Sequence, residues 1–448
     1  MAETMLELKE YGVAFGERII LSSISLEIPG NGIVVLMGPS GTGKSTLLRT
    51  IAGISSSSPS FRSWGEATYL GRDLGNTELP VLVSQSASLL MSSVLENIVH
   101  ALPERHTLTQ AQQRELAQRL LIDAGLNELA ANLDQRVVDL TIGQQRLLAT
   151  LGQVVAGPRL LCIDEPTTGV DEKDSQRILK FLKKEAERRA ILIVLHNQQQ
   201  AKQLGGVTIL LAGGWVQEAA LTSQFFEAPQ SEAARSFVKN GTCCIPSPNT
   251  KPEEIDPYAS ITLKPVPEAA REYKSAFLGP RGFLWLKKGR LAGTPFPGIV
   301  VDLDVDLEAL KRVGVTHLVS LTERKLNEDD LAPYNLHVVR SYIPDMCAPS
   351  LKQAYEICMK ITELLQHDAV IAVHCRAGLG RTGTILASQL IWEGSTALNA
   401  LDTVRKIEPR WVQSDLQIDF LESFEKYLNK LKITNPNTET EILRSSIS

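Results

Sequence analysis

One stretch constrains this chain more than any other: Val370 to Gly383, reading VIAVHCRAGLGRTG. The apolar run Val370 to Val373 reads as a strand, and it delivers His374 and Cys375 into a loop punctuated by Gly378 and Gly380. The loop closes at Arg381 and Thr382, where a helical pattern begins. Backbone N–H groups of a loop curling into a helix N-terminus converge on one point. Arg376, Ala377, Gly378, Leu379, Gly380 and Arg381 thus form a cradle for a phosphate dianion. The same field acts on the thiol: a cysteine so placed has its pKa lowered from about 8.5 to roughly 3.5–7.5 and is a thiolate near neutral pH. Arg381 adds a planar fork that grips two phosphate oxygens, a geometry lysine lacks.

The spacing HC(x)5R followed by Thr resembles the cysteine-dependent tyrosine and dual-specificity phosphatases. The resemblance implies a nucleophile at Cys375, a phosphate grip at Arg381, and a hydroxyl at Thr382 that hydrogen-bonds the departing sulfur. It also implies an acid on an upstream loop, which falls on Asp345 in Tyr342-Ile343-Pro344-Asp345-Met346. That acid protonates the leaving oxygen and then takes a proton from the hydrolytic water. Asp302, Asp304 and Asp306 are rival acids placed before a helix, where they read as structural. Gln413 and Gln417 resemble the family's water-positioning glutamines, with plain surface residues at a helix start as the alternative. The domain is compact, which implies a shallow site for phosphoserine and phosphothreonine as well as phosphotyrosine. Inositol lipid or a phosphorylated small molecule remains an alternative substrate. No cofactor is implied for this half.

A second phosphate loop lies near the start. Ile33 to Met37 runs as a buried strand into Gly38-Pro39-Ser40-Gly41-Thr42-Gly43-Lys44-Ser45-Thr46, which fits GxxxxGK[ST] with a strand before it and a helix after. Its amides wrap the α- and β-phosphates of a nucleotide, Lys44 reaches the β- and γ-phosphates, and Ser45 ligates Mg²⁺. Another apolar run, Arg159 to Ile163, ends in Asp164-Glu165, a strand-end metal ligand followed by a carboxylate able to polarise water.

These residues resemble the ATPase domain of ABC (ATP-binding cassette) proteins, and the resemblance implies ATP and Mg²⁺ as cofactors. Gln85 falls at the Q-loop glutamine, a further metal ligand; His196 at the switch histidine that contacts the γ-phosphate; Asp171 at the D-loop. Phe15 is the candidate ring for stacking on adenine, with Tyr11 the competing choice. The signature LSGGQ reads LTIGQ here: Thr141, Gly143 and Gln144 match, and Ile142 replaces a glycine. In the family this segment completes the site of a second copy, implying an ATP-dependent homodimer. Thr222 to Val238 resembles the end of importer-type ATPases, implying membrane transporter subunits as partners.

The expected architecture is therefore α/β throughout: a P-loop ABC-type domain over residues 1–238, a proline-rich linker over 239–275, a phosphatase-type domain with a central sheet flanked by helices over 276–432, and a polar tail over 433–448. The 448 residues suffice for two or three cores. Six cysteines form no disulfide framework at this length, and a catalytic thiolate suits a reducing compartment. A net charge of −5 gives no sign of a nucleic-acid partner. MAETMLELKEYG carries acids where a secretory leader has basic and apolar residues, and no apolar run approaches the roughly 18 residues of a membrane span. The expectation is a cytoplasmic protein, peripheral at the inner face of a membrane if transporter subunits recruit it, that acts on ATP and on a phosphorylated protein.

Overall fold

The computed structural model describes residues 4–75, 78–83, 93–103, 105, 107–251, 253, 264–272, 274–275 and 278–434. The chain divides into two compact units, residues 1–55 with 62–273 and residues 56–61 with 274–448.

The first unit is built on ten strands: β1 (Thr4–Phe15), β2 (Arg18–Pro29), β3 (Gly32–Met37), β4 (Phe61–Tyr69), β5 (Arg72–Asp73), β6 (Val81–Val83), β7 (Leu160–Asp164), β8 (Ala190–Val194), β9 (Val207–Ala212) and β10 (Trp215–Leu221). They line up in the order β5-β4-β1-β2-β10-β9-β3-β8-β7-β6. The stretch β9-β3-β8-β7-β6 is parallel throughout. Its strands read as unbroken apolar runs, such as Ala190-Ile191-Leu192-Ile193-Val194, because helices cover both faces and every residue is buried. Leu161, Ile163, Ile191 and Ile193 pack with Leu147 and Leu151 of helix Ile142–Val155 and with Leu179 and Leu182 of helix Glu172–Glu185. Helix Gln110–Asp123 is started by a reciprocal capping box between Thr109 and Gln112.

The prolines of 239–275 do not leave their described residues standing free. The Asn249 side chain pairs with the Ile19 backbone, accepting from its N–H at 2.9 Å and donating to its carbonyl at 2.7 Å. Ala270 is buried with Ala14 and Ile19, and its carbonyl accepts from Arg62 at 2.6 Å. A side-chain amide that mimics a neighbouring strand is the physical reason: it satisfies both backbone groups of Ile19, where β10, which pairs with β2 at Ser23, does not reach.

The second unit carries β11 (Leu284–Lys287), β12 (Leu291–Thr294), β13 (His317–Ser320), β14 (His337–Arg340) and β15 (Ile371–His374), in the order β11-β12-β15-β13-β14. Strands β12, β15, β13 and β14 are parallel neighbours, and only β11 runs opposite. Leu318 and Ala372 face a core that includes Leu307, Leu310 and Val315. Helix Gly380–Trp392 leaves the carboxyl end of the central β15 almost wholly buried, which fixes the loop between them. The polar tail expected from 433 falls outside the described residues from 435 onward.

Candidate active sites

In open parallel sheets, ligands collect beyond the carboxyl ends of the strands, and both units follow the rule. In the first, the glycine loop leaves β3, Asp164 ends β7, and His196 lies two residues past β8, so three adjacent strands converge on one spot. A cavity of about 340 Å³ opens there, lined by Ser40, Gly41, Gly43, Lys44, Ser45, Thr46, Glu165 and His196, together with Arg18 and Ile20 of β2. Gly38 has φ 147°, and a side chain there would stand 2.0 Å from the Leu211 carbonyl, so only glycine fits. Thr42 donates to the Pro39 carbonyl at 2.9 Å, closing the loop on itself.

Lys44 is 5% exposed and donates to the carbonyls of Gly38 (2.9 Å) and Pro39 (2.7 Å). Burial lowers its pKa, with Glu165 and Asp164 acting in the opposite sense. Burial likewise raises the Asp164 pKa, against a hydrogen bond from Ser45. Asp164 Oδ1 is buried and has no hydrogen-bond partner. A lone buried carboxylate oxygen beside a hydroxyl is a hard oxygen donor set, which fits Mg²⁺. Glu165 adopts φ 49°, uncommon for a side-chain-bearing residue, and its carboxylate meets His196 Nε2 and accepts from Thr168 at 3.1 Å.

Of the remaining nucleotide-site candidates, Phe15 is the register partner of the cavity-lining Arg18, whereas Tyr11 is 7% exposed. Asp171 caps helix Glu172–Glu185 by accepting from the Asp174 N–H at 2.8 Å. Thr141 and Gln144 form a capping box at the start of helix Ile142–Val155. Gly143 packs against Asp174, whose carboxylate accepts from Thr141 at 2.7 Å. None of Phe15, Asp171, Thr141, Gly143 and Gln144 lines the cavity. Ile142 is 57% exposed. Gln85 lies outside the described residues.

In the second unit, the loops after β12, β13, β14 and β15 line a cavity of about 560 Å³ that includes Phe296, Arg324, Tyr342, Asp345, Arg376 and Arg381. Cys375, the residue before the cavity-lining Arg376, is 3% exposed, with a free thiol. Arg381 is 6% exposed; one nitrogen donates to the Ile343 carbonyl at 2.9 Å and another meets Asp345 Oδ1 at 2.7 Å. The carboxylate of the upstream loop and the guanidinium of the phosphate loop are thus in contact. Thr382 is fully buried, and its hydroxyl has no partner.

Among the rivals, Asp306 is 4% exposed and accepts from the Gly298 N–H at 2.7 Å, a structural bond. Asp302 stands at the N-terminus of helix Leu303–Arg312, and Asp304 lies in its first turn. His374 is fully buried with neither ring nitrogen hydrogen-bonded, and burial lowers its pKa to about 4. It packs edge-on against Phe296 at 5.2 Å.

Gln417 is fully buried rather than a surface residue at a helix start. It donates to the Cys347 carbonyl at 3.2 Å, and both Gln413 and Gln417 stand over Gly380, where a side chain would meet their oxygens at 3.0 and 3.1 Å. Gly378 has φ 72°, and a side chain there would stand 2.6 Å from the Thr294–Pro295 backbone. Its carbonyl accepts from the indole of Trp411 at 3.0 Å. Sequence reasoning gave Trp411 no role, since nothing local signals a tryptophan whose partner lies in another segment. Arg324 was missed for the same reason.

Two family models match: "ABC transporter" over residues 21–168, and "Polymorphic toxin system, DSP-PTPase phosphatase" over residues 292–395. The phosphate import ATP-binding protein PstB of Thermotoga maritima is 27% identical over 249 residues, covering 53% of this chain and 98% of that protein. PstB 3 of Natronomonas pharaonis is 30% identical over 246 residues, covering 53% of this chain and 88% of that protein. Among solved structures, a bacterial Atm1-family ABC exporter with ATP bound matches with TM-score 0.43 at 19% identity, over 51% of this chain and 41% of that one. No helix among the described residues is long and apolar enough to cross a membrane. The chain therefore belongs to the ABC ATPase family and carries, in addition, a phosphatase domain of the DSP-PTPase type.

Proposed function

We propose that one polypeptide hydrolyses ATP in its first unit and phosphoprotein monoesters in its second, each unit with its own chemistry. The observation that carries the phosphatase half is the contact between Asp345 and Arg381, the arginine of the loop that begins at the buried Cys375. The Cys375 thiolate attacks phosphorus while the bond to the leaving oxygen breaks, and Asp345 gives that oxygen its proton. The cysteinyl-phosphate then meets water, which yields a proton to the Asp345 carboxylate as its oxygen bonds to phosphorus. The P–S bond breaks, and the unpartnered Thr382 hydroxyl donates to the departing thiolate. Arg381 holds two phosphate oxygens throughout, and the amides from Arg376 to Arg381 cradle the rest.

In the ATPase half, the glycine loop would wrap the phosphates, Lys44 would exchange its loop carbonyls for phosphate oxygens, and Ser45 and Asp164 would hold Mg²⁺, with Gln85 a further ligand. The metal neutralises charge on the phosphates when bound. Glu165 orients the attacking water and His196 reaches toward the γ-phosphate. Phe15 stacks on adenine, and Asp171 completes the dimer-facing edge of the site. Thr141, Gly143 and Gln144 close the nucleotide site of a second copy, in keeping with their place away from their own cavity. The likeness to phosphate-import ATPases supports membrane transporter subunits as partners and a peripheral, cytoplasmic location.

A second reading, an ATP-dependent switch on the phosphatase, is favoured by one observation. The segment leading toward the second unit is fastened to Ile19, whose neighbours Arg18 and Ile20 both line the nucleotide cavity. The test is hydrolysis of ATP and of p-nitrophenyl phosphate by the full chain. Cys375→Ser abolishes only aryl phosphate turnover, and Glu165→Gln abolishes only ATP turnover. Aryl phosphate turnover surviving in Cys375→Ser overturns the assignment. A change in phosphatase kcat on adding ATP to Glu165→Gln selects the switch, and an unchanged kcat selects two independent activities.

A further inference from the structure

The first unit holds another cavity, of about 530 Å³, lined by residues of β10, helix Glu232–Asn240 and the linker. No residue lines both this cavity and the nucleotide cavity. Its volume falls within the roughly 300–1,000 Å³ of sites that take a whole small molecule.

Local sequence sets two of its walls. Trp215 and Gln217 alternate onto one face of β10, and Glu232 and Ser236, one helical turn apart, share a face of the helix. Linker residues 243–248 close a third side, seated where the β9–β10 turn has no side chains. A Cβ at Gly213 would stand 2.5 Å from Ile245, and one at Gly214 2.6 Å from Pro248. Asn249 pins the same stretch to Ile19 through its two hydrogen bonds. Proline rings and a fastened backbone leave a ligand little freedom to remove, so the cavity is preformed.

The lining combines a flat apolar surface with spare positive charge. The Trp215 indole, Ile245 and the rings of Pro246 and Pro248 supply the first. Lys264 and Arg271 supply the second: both are exposed, and among the described residues neither makes an ion pair. The Lys264 ammonium stands 5.7 Å from the centre of the Trp215 ring, which sets charge and flat surface side by side. Among the described residues Glu232 is the one carboxylate of the lining. Two cations against one carboxylate suit a monoanion and disfavour a phosphate dianion.

We infer that this cavity binds an organic carboxylate with a flat aromatic body, its ring along Trp215 and the prolines and its charge on Lys264 and Arg271. No bond is made or broken there, and the inference is independent of both hydrolytic activities. Cys244, exposed on the same lining with a free thiol, reports occupancy.

The probes are 1-naphthoate and its neutral counterpart 1-naphthamide. Alkylation of Cys244 by iodoacetamide in the full chain is followed by mass spectrometry. Naphthoate is expected to bind with a Kd on the order of 0.1–1 mM. At about ten times that concentration it slows the alkylation about tenfold, since only the unoccupied fraction reacts. Naphthamide binds about tenfold more weakly, lacking the charge-assisted contact. Lys264→Gln and Arg271→Gln each weaken naphthoate about fivefold and leave naphthamide unchanged, which also shows the cavity intact. Trp215→Leu weakens both probes together. Three outcomes overturn the inference: no protection of Cys244 at about 10 mM naphthoate, equal affinity for the two probes in the wild type, or naphthoate affinity unchanged in both charge-removing variants.

Discussion

The two glycine loops of this chain face the same task with different supports. Each leaves the carboxyl end of a parallel strand, enters a helix and places a cation in that helix's first turn. In the first, Lys44 is held by its own loop, through the carbonyls of Gly38 and Pro39. In the second, Arg381 is held by a different segment, through the Ile343 carbonyl and the Asp345 carboxylate. The first loop is thus closed on itself, whereas the second is completed by the loop that bears the acid. The consequence is that acid and anion compete for Arg381, so binding and proton transfer are linked in the second site and not in the first.

The strongest test of that contrast is Arg381→Lys. A point charge cannot reproduce the two-pronged grip, and kcat/KM for aryl phosphate is expected to fall about 10³-fold with ATP hydrolysis unchanged. A loss under tenfold breaks the idea that the fork matters. Asp345→Asn is next. Removing the acid lowers kcat about 10²-fold, because the leaving oxygen then departs without its proton. The same change frees Arg381, so KM for aryl phosphate falls; a raised KM denies the competition.

Gly378→Ala drives a side chain into the Thr294–Pro295 backbone at φ 72° and should destabilise the second unit by about 2–3 kcal/mol, read from its melting transition. His374 gives a comparable effect spread over pH. Its folded pKa of about 4 lies below the roughly 6.5 of an unfolded histidine. The unfolded chain then binds the extra proton between these values, and stability declines as pH drops from about 6.5 to about 4, by about 3 kcal/mol in total. Urea melts of His374→Asn should lack that part of the slope; an identical slope removes the assignment. Smallest is Ile142→Gly, at the exposed first residue of its helix, which is expected to raise ATP turnover about twofold with nucleotide affinity unchanged.

Both loops were legible because each is a local object: a strand, a glycine turn and a helix start within about a dozen residues. Other features depended on separate segments meeting. Gln417 read equally well as surface or site until packing buried it over Gly380. Trp411 acquired a role only through its bond to the Gly378 carbonyl. The prolines of the connector read as an extended linker, and only the fold shows Asn249 tying it to Ile19 across 230 positions of sequence.

What the sequence by itself determined is the kind of chemistry each loop supports, since strand, glycine and cation are neighbours along the chain. What only the tertiary structure decided is the company each loop keeps. Strand order set that: placing β15 between β12 and β13, with β14 beyond, brings Phe296, Arg324 and Asp345 to one cavity with Arg381. The physical reason is that side-chain pairing across a parallel sheet follows from which strands are adjacent, and adjacency is settled by the packing of the whole core rather than by any short run of residues.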